Sequence, residues 1–119
     1  MKYRDIPKFN ENILKELDAT DPDRVIMALL SIVMDSGDFD LSVHSVRRFL
    51  HHENEYVRGI ACESCSHIAR IWKKLPHDLV NHVDVAIRDS SLWVQGKAEF
   101  AIDDFEVFLD GYKRPGIIE

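Results

Sequence analysis

The sequence predicts an all-α fold, a short α-solenoid of about six helices stacked as antiparallel hairpins, and three observations predict it. Between Asn54 and Ala69, small or apolar residues recur every three or four positions, at Val57, Ile60, Ala61, Ser64, Cys65 and Ile68. That spacing puts them on one face of a helix. Moving 37 positions forward reproduces the stretch: Tyr56 maps to Trp93, Val57 to Val94, Gly59 to Gly96, Ala61 to Ala98, Cys65 to Ile102 and Ile68 to Phe105. The preceding segment repeats at the same offset, with Val43 over Val80, Val46 over Val83 and Leu50 over Ile87, so the unit is two helices. An earlier copy of the first helix stands at an offset of 33, with Ala28 over Ala61 and Ile32 over Cys65.

Each element then follows in order. Phe9, Ile13, Leu14 and Leu17 behind a capping Asn10 predict a short amphipathic helix over residues 9–18. Asp18-Ala19-Thr20-Asp21-Pro22-Asp23 combines capping residues with a proline suited to a first helical turn, and a second helix follows to about Met34 with apolar positions Val25, Met27, Ala28, Leu29, Ile32 and Val33. Ser36-Gly37-Asp38 is a turn, and Leu41, Val43, Val46, Phe49 and Leu50 form the stripe of a third helix. A long fourth helix runs from about Glu55 to Lys74, where Leu75-Pro76 interrupts it. Leu79, Val80, Val83, Ala86 and Ile87 mark a fifth over roughly 77–88. Asp89-Ser90-Ser91 caps a sixth, whose Val94, Ala98, Ala101, Ile102, Phe105, Phe108 and Leu109 face inward until Gly111 ends it. The 119 residues thus divide into an N-terminal helix (9–18), two-helix repeats (21–53 and 54–90), a final helix (91–110) and a loose tail (111–119) within one domain.

Composition sets further bounds. A hydrophobic share of 45% over 119 residues is enough for a core without disulfides or metal. No long apolar run exists, and Met1-Lys2-Tyr3-Arg4-Asp5 leads into no signal-like stretch, so a cytoplasmic protein is expected. Cys62 and Cys65 lie mid-helix, unlike the helix-N-terminal thiol of a redox motif, and read as reduced core residues. A formal charge of −6 disfavours nucleic acid and anionic membranes and suits a basic protein partner.

Asp23-Arg24-Val25 with Ala28, and Tyr56-Val57-Arg58 with Ala61, resemble the starts of first helices in HEAT-like repeats, over about residues 20–110. Gln95 stands where the third copy would carry the arginine, and the proline often found in that helix is missing. A TPR-like or irregular helical bundle is the alternative, although the TPR spacing of bulky aromatics is not evident. The HEAT resemblance implies that second helices line a concave surface. His44, Arg47, Arg48 and His51, spaced i, i+3, i+4, i+7, would lie there with Asn81, His82 and Asp84, a face able to hold an acidic group or simply solvated. His51-His52-Glu53 resembles the His-Glu pairs of HEAT-like deoxyhypusine hydroxylases, but a di-iron site needs several pairs and one is present, so no metal and no cofactor are expected.

The sharpest charge feature is Glu99, Asp103, Glu106 and Asp110 on one helical stripe, with Asp104 beside it and no basic residue between Glu99 and Asp110. The final helix of a solenoid needs a polar outer face. Like charges at this spacing also repel, and a basic partner would relieve them. No serine-histidine-acid set, phosphate loop or paired buried carboxylates can be read, so no enzyme is expected. The expectation is a protein-binding module, monomeric when free. It is similar in size, charge and architecture to immunity proteins that neutralise basic nuclease toxins in bacterial toxin–immunity systems. The alternatives are a HEAT-like scaffold or adaptor subunit and, further off, a HEAT-like enzyme acting on nucleic acid.

Overall fold

The computed structural model describes residues 5–114. Among these the chain forms six α-helices and no strand: α1 (Glu11–Glu16), α2 (Pro22–Asp35), α3 (Phe39–Phe49), α4 (Glu55–Trp72), α5 (His77–Ala86) and α6 (Leu92–Phe108). The N-terminal residues 1–4 and the tail residues 115–119 considered above lie outside the described residues.

Most helix starts are fixed by a side chain that accepts from a free backbone N–H. Asn10 accepts from Asn12, Asp21 from Asp23, Asp38 from Leu41, Asn54 from Tyr56 and Val57, and Ser91 from Val94. Each such cap stabilises its helix by about 1 kcal/mol. α5 instead begins behind Pro76 and has no side-chain cap. At the other end of α4, Lys73 takes a left-handed conformation (φ 57°), and its N–H bonds the Ala69 carbonyl. Gly37 (φ 67°) and Gly111 (φ 78°) make the other left-handed turns, where a side chain would be strained.

α4 is the central element. It packs most extensively against α6 and also touches α2, α3 and α5, while α1 packs on α2. Its buried residues occupy most of its circumference, including Val57, Gly59, Ile60, Ala61, Cys62, Cys65, Ile68 and Ala69. Their smallness lets neighbouring helices approach. Both thiols are free and buried. Burial pushes the Cys62 thiol up to about 12 and the Cys65 thiol well above its ordinary value.

The 37-residue offset persists in local detail. α4 and α6 start at Glu55 and Leu92, behind caps Asn54 and Ser91. The Arg58 side chain reaches back six residues to donate to the His52 carbonyl (3.0 Å), and Gln95 reaches back the same distance to the Asp89 carbonyl (2.7 Å). Arg58 also donates to both Asp89 carboxylate oxygens (3.0 and 2.8 Å), joining the loop before α4 to the loop before α6. Gln95 therefore keeps the local half of the arginine's role and drops the part that ties down a following loop.

Several expectations need correction. α1 is confined to Glu11–Glu16, so Phe9 lies outside it. Phe108 and Leu109 are only partly buried, because α6 ends there and Leu109 adopts an extended conformation. Val80 and Ile87 are likewise half-buried where their counterparts Val43 and Leu50 are buried, since α5 lies at the edge of the stack of contacts. The tail is not loose through residue 114. Tyr112 packs edge-on against Phe105 (5.4 Å) and donates to Asp84 (2.7 Å), and Arg114 returns to α6.

Candidate functional site

α6 buries Val94, Ala98, Ala101, Ile102 and Phe105, which recur at helical spacing and face the core. Among the described residues no helix packs on the opposite face. It carries Glu99, Asp103 and Glu106, all exposed as the sequence suggested, with Asp104 half-buried at one side and Asp110 exposed beyond the helix end. Apolar residues lie among the acids: Leu92 is 81% exposed, Phe100 51% and Val107 71%. These large side chains stand about two turns apart along the face, interleaved with the acids.

A basic residue already sits on this face. Arg114 donates from Nη2 to Asp103 (2.5 Å) and to Glu106 (2.7 Å), with a longer bond from Nε to Glu106. The Arg114 guanidinium holds the Glu106 carboxyl below its usual range. The repulsion read from the acidic stripe is therefore relieved in part within the chain. The acids that Arg114 pairs with are Asp103 and Glu106, not Glu99 or Asp110.

The other surface considered is α3 with α5. Arg47 makes two hydrogen bonds to Asp78 (2.7 and 2.9 Å) and Arg48 pairs with Asp18 (2.5 Å), and each arginine side chain stays 47% exposed. His51 packs edge-on against His82 (4.5 Å), whose Nε2 lies 3.1 Å from the Leu50 carbonyl. Burial, then the neighbouring His51, hold His82 below the ordinary histidine value. His44 remains exposed on α3. The structure brings His51, Asn81 and His82 together along a cleft of about 650 Å³ that also includes Arg88. Asp84 lies instead beside a second cleft of about 440 Å³ with His77, Tyr112 and Lys113, where burial raises its pKa against the lowering effect of the Tyr112 hydroxyl. Among the described residues no three His, Cys, Asp or Glu side chains converge as a metal site would require, and no helix is long and apolar enough to cross a membrane.

One charged group lies inside the fold. Glu63 on α4 is 3% exposed and accepts from Lys97 of α6 (2.6 Å), with His67 Nε2 3.5 Å away. Burial opposes its ionisation, but the bonds from His67 and Lys97 outweigh that and hold its carboxyl below the usual range. Beside it, Trp93 packs onto Gly59, and Lys97 lies over the Trp93 ring (4.7 Å).

Sequence reasoning named the acids of the α6 face but not its apolar members, nor Arg114. Leu92, Phe100 and Val107 were legible as the apolar residues left over once the inward stripe of α6 is removed. Arg114 gave no such signal, because its position depends on the turn at Gly111.

The class these features define is a small protein, all-helical among its described residues, in which none of them packs a helix over the acidic and apolar face of α6. No family model, curated protein or solved structure matches the chain.

Proposed function

We propose that the chain is a protein-binding module built as a short stack of HEAT-like hairpins, and that it binds a basic protein through the outer face of α6. The observation that carries this reading is the mixture on one helix face of exposed Leu92, Phe100 and Val107 with Glu99, Asp103 and Glu106. Apolar area supplies the lasting contact, while the acids steer and select a cationic surface. The bidentate hold on Arg114 supports the reading, since it shows the carboxylates spaced to grip a guanidinium. The stacked-hairpin form is supported by α4 lying in contact with both α2 and α6, and by the matched loop anchors of Arg58 and Gln95.

The particular role we propose is that of an immunity protein neutralising a basic, nuclease-like toxin, on the strength of size, net charge and the acidic face. The test is affinity capture from the producing cell with wild type and with Glu99→Lys/Asp103→Lys side by side. Recovery of a basic nuclease by the wild type alone, inhibited when the purified protein is added back, is the expected result. A partner retained equally by both proteins, or a large assembly containing the chain with no inhibited activity, overturns the immunity role and favours an adaptor.

A further inference from the structure

The interface between α4 and α6 contains a template for what the outer face of α6 accepts. At Gly59 an added Cβ would lie 2.5 Å from Trp93 Nε1 and 2.6 Å from Trp93 Cδ1. The missing side chain makes the seat for the indole. Tyr56, one turn earlier on α4, meets the Trp93 ring edge-on at 5.4 Å, and Glu63, one turn later, takes the Lys97 amine. Aromatic, glycine and a third contact residue thus line one side of α4 at positions 56, 59 and 63.

At the 37-residue offset, α6 repeats this surface as Trp93, Gly96 and Phe100. Gly96 is exposed, and a Cβ built there meets nothing within 4 Å. A glycine in the middle of a helix costs about 1 kcal/mol relative to alanine. At Gly59 the seated indole uses the space that the glycine leaves, whereas at Gly96 none of the described residues does. The third position differs: Phe100 replaces Glu63, so a residue arriving there meets an aromatic ring and the acids stand to the side, at Glu99 and Asp103.

We infer that the outer face of α6 docks a basic amphipathic helix of a partner protein, with one aromatic side chain seated over Gly96 as Trp93 is seated over Gly59. An aliphatic residue one turn along the partner helix covers Phe100, and flanking arginines or lysines meet Glu99 and Asp103. Charge selects this occupant: the face is acidic, and Arg114, a cation of this chain, is already bound there by two carboxylates. A second copy of this acidic face would meet it with like charge. The inference rests on the protein-binding reading above and adds to it the partner's helical form and its aromatic anchor.

The probe is a lactam-bridged synthetic helix of about 20 residues carrying one central Trp, a Leu one turn later and arginines flanking that stripe. Its binding is followed by fluorescence anisotropy at low salt. Wild type should bind it saturably. Gly96→Trp, which fills the seat without altering charge, should weaken binding at least about tenfold while thermal stability is retained. Replacing the peptide's Trp by Ala should weaken binding similarly, with no change to the protein at all. No saturable binding by wild type overturns the proposal, and so does equal binding by Gly96→Trp. If Gly96→Trp binds normally while Glu99→Lys/Asp103→Lys does not, the acidic-face reading stands and the aromatic seat falls. A wild-type dimer in sedimentation that Gly96→Trp abolishes makes the occupant a second copy and overturns the basic-helix assignment.

Discussion

α6 makes acid–base contacts on both of its sides, and their surroundings give them opposite roles. On the inner side Lys97 meets Glu63, a carboxylate 3% exposed within the contact with α4. On the outer side Arg114 meets Asp103 and Glu106, whose side chains are 70% and 45% exposed. Removing the cation inside strands a charge that water cannot reach, whereas removing it outside returns two carboxylates to solvent. Burial therefore makes the first contact structural, and exposure leaves the second exchangeable for a partner's cation.

The largest expected effect breaks the inner contact. Lys97→Ala should destabilise the protein by about 3 kcal/mol, read by denaturant unfolding, because Glu63 then keeps its desolvation cost without its closest cation. Replacing both partners, as Glu63→Leu with Lys97→Met, should recover most of that loss, since an apolar pair of similar volume leaves no stranded charge. A double variant no more stable than Lys97→Ala would show that Lys97 acts through its packing over Trp93 instead.

The two glycines sharpen the contrast between the same two sides. Gly59→Ala should cost about 1–3 kcal/mol, because the methyl must displace the Trp93 indole. Gly96→Ala should stabilise by up to about 1 kcal/mol, because its methyl meets nothing and helix propensity improves. Melting curves of the two variants should therefore move in opposite directions.

Acid should act at His82 on α5 first and on the inner contact of Glu63 only at lower pH. The Glu63 folded-state pKa is lowered, so its contribution to stability is present above the unfolded value near 4.5 and is lost as pH falls through the folded value. The His82 pKa is also lowered, chiefly by burial, so the fold disfavours its charged form and stability declines as pH falls below the ordinary value near 6.5. Unfolding free energy measured against pH should therefore decline in two stages. His82→Gln should flatten the upper stage and leave the lower one in place.

These contrasts also mark how far the sequence could be read. Helix order, the caps at Asn10, Asp21 and Ser91, and the inward residues Val94, Ala98, Ala101, Ile102 and Phe105 were legible because apolar spacing and capping chemistry are local. The acids of the α6 face were legible for the same reason. The buried Glu63 was not, since its cation comes from a residue 34 positions away. The partners of Arg47 and Arg48 were not legible either, since Asp78 and Asp18 lie 31 and 30 positions away. Gly96 was visible as the repeat counterpart of Gly59, but its meaning required seeing Trp93 in one seat and nothing in the other.

The smallest effect on stability should come from Arg114→Ala, and it bears most directly on binding. Arg114 neutralises part of the acidic face, so its removal should leave unfolding nearly unchanged while making the face more negative. The Glu106 carboxyl, held low by Arg114, should titrate closer to its ordinary value, which carboxyl-carbon NMR reads directly. Association with a basic helix should then quicken by about two- to fivefold at low salt, because steering depends on the potential of the approached surface. The gain should shrink as added salt shortens the screening length to about 3 Å near 1 M. A slower association would mean that Arg114 belongs to the docking surface and is contacted by the partner. A Glu106 titration unchanged from wild type would mean that the tail does not hold the carboxylates in solution, leaving the whole acidic stripe open to a partner's cations.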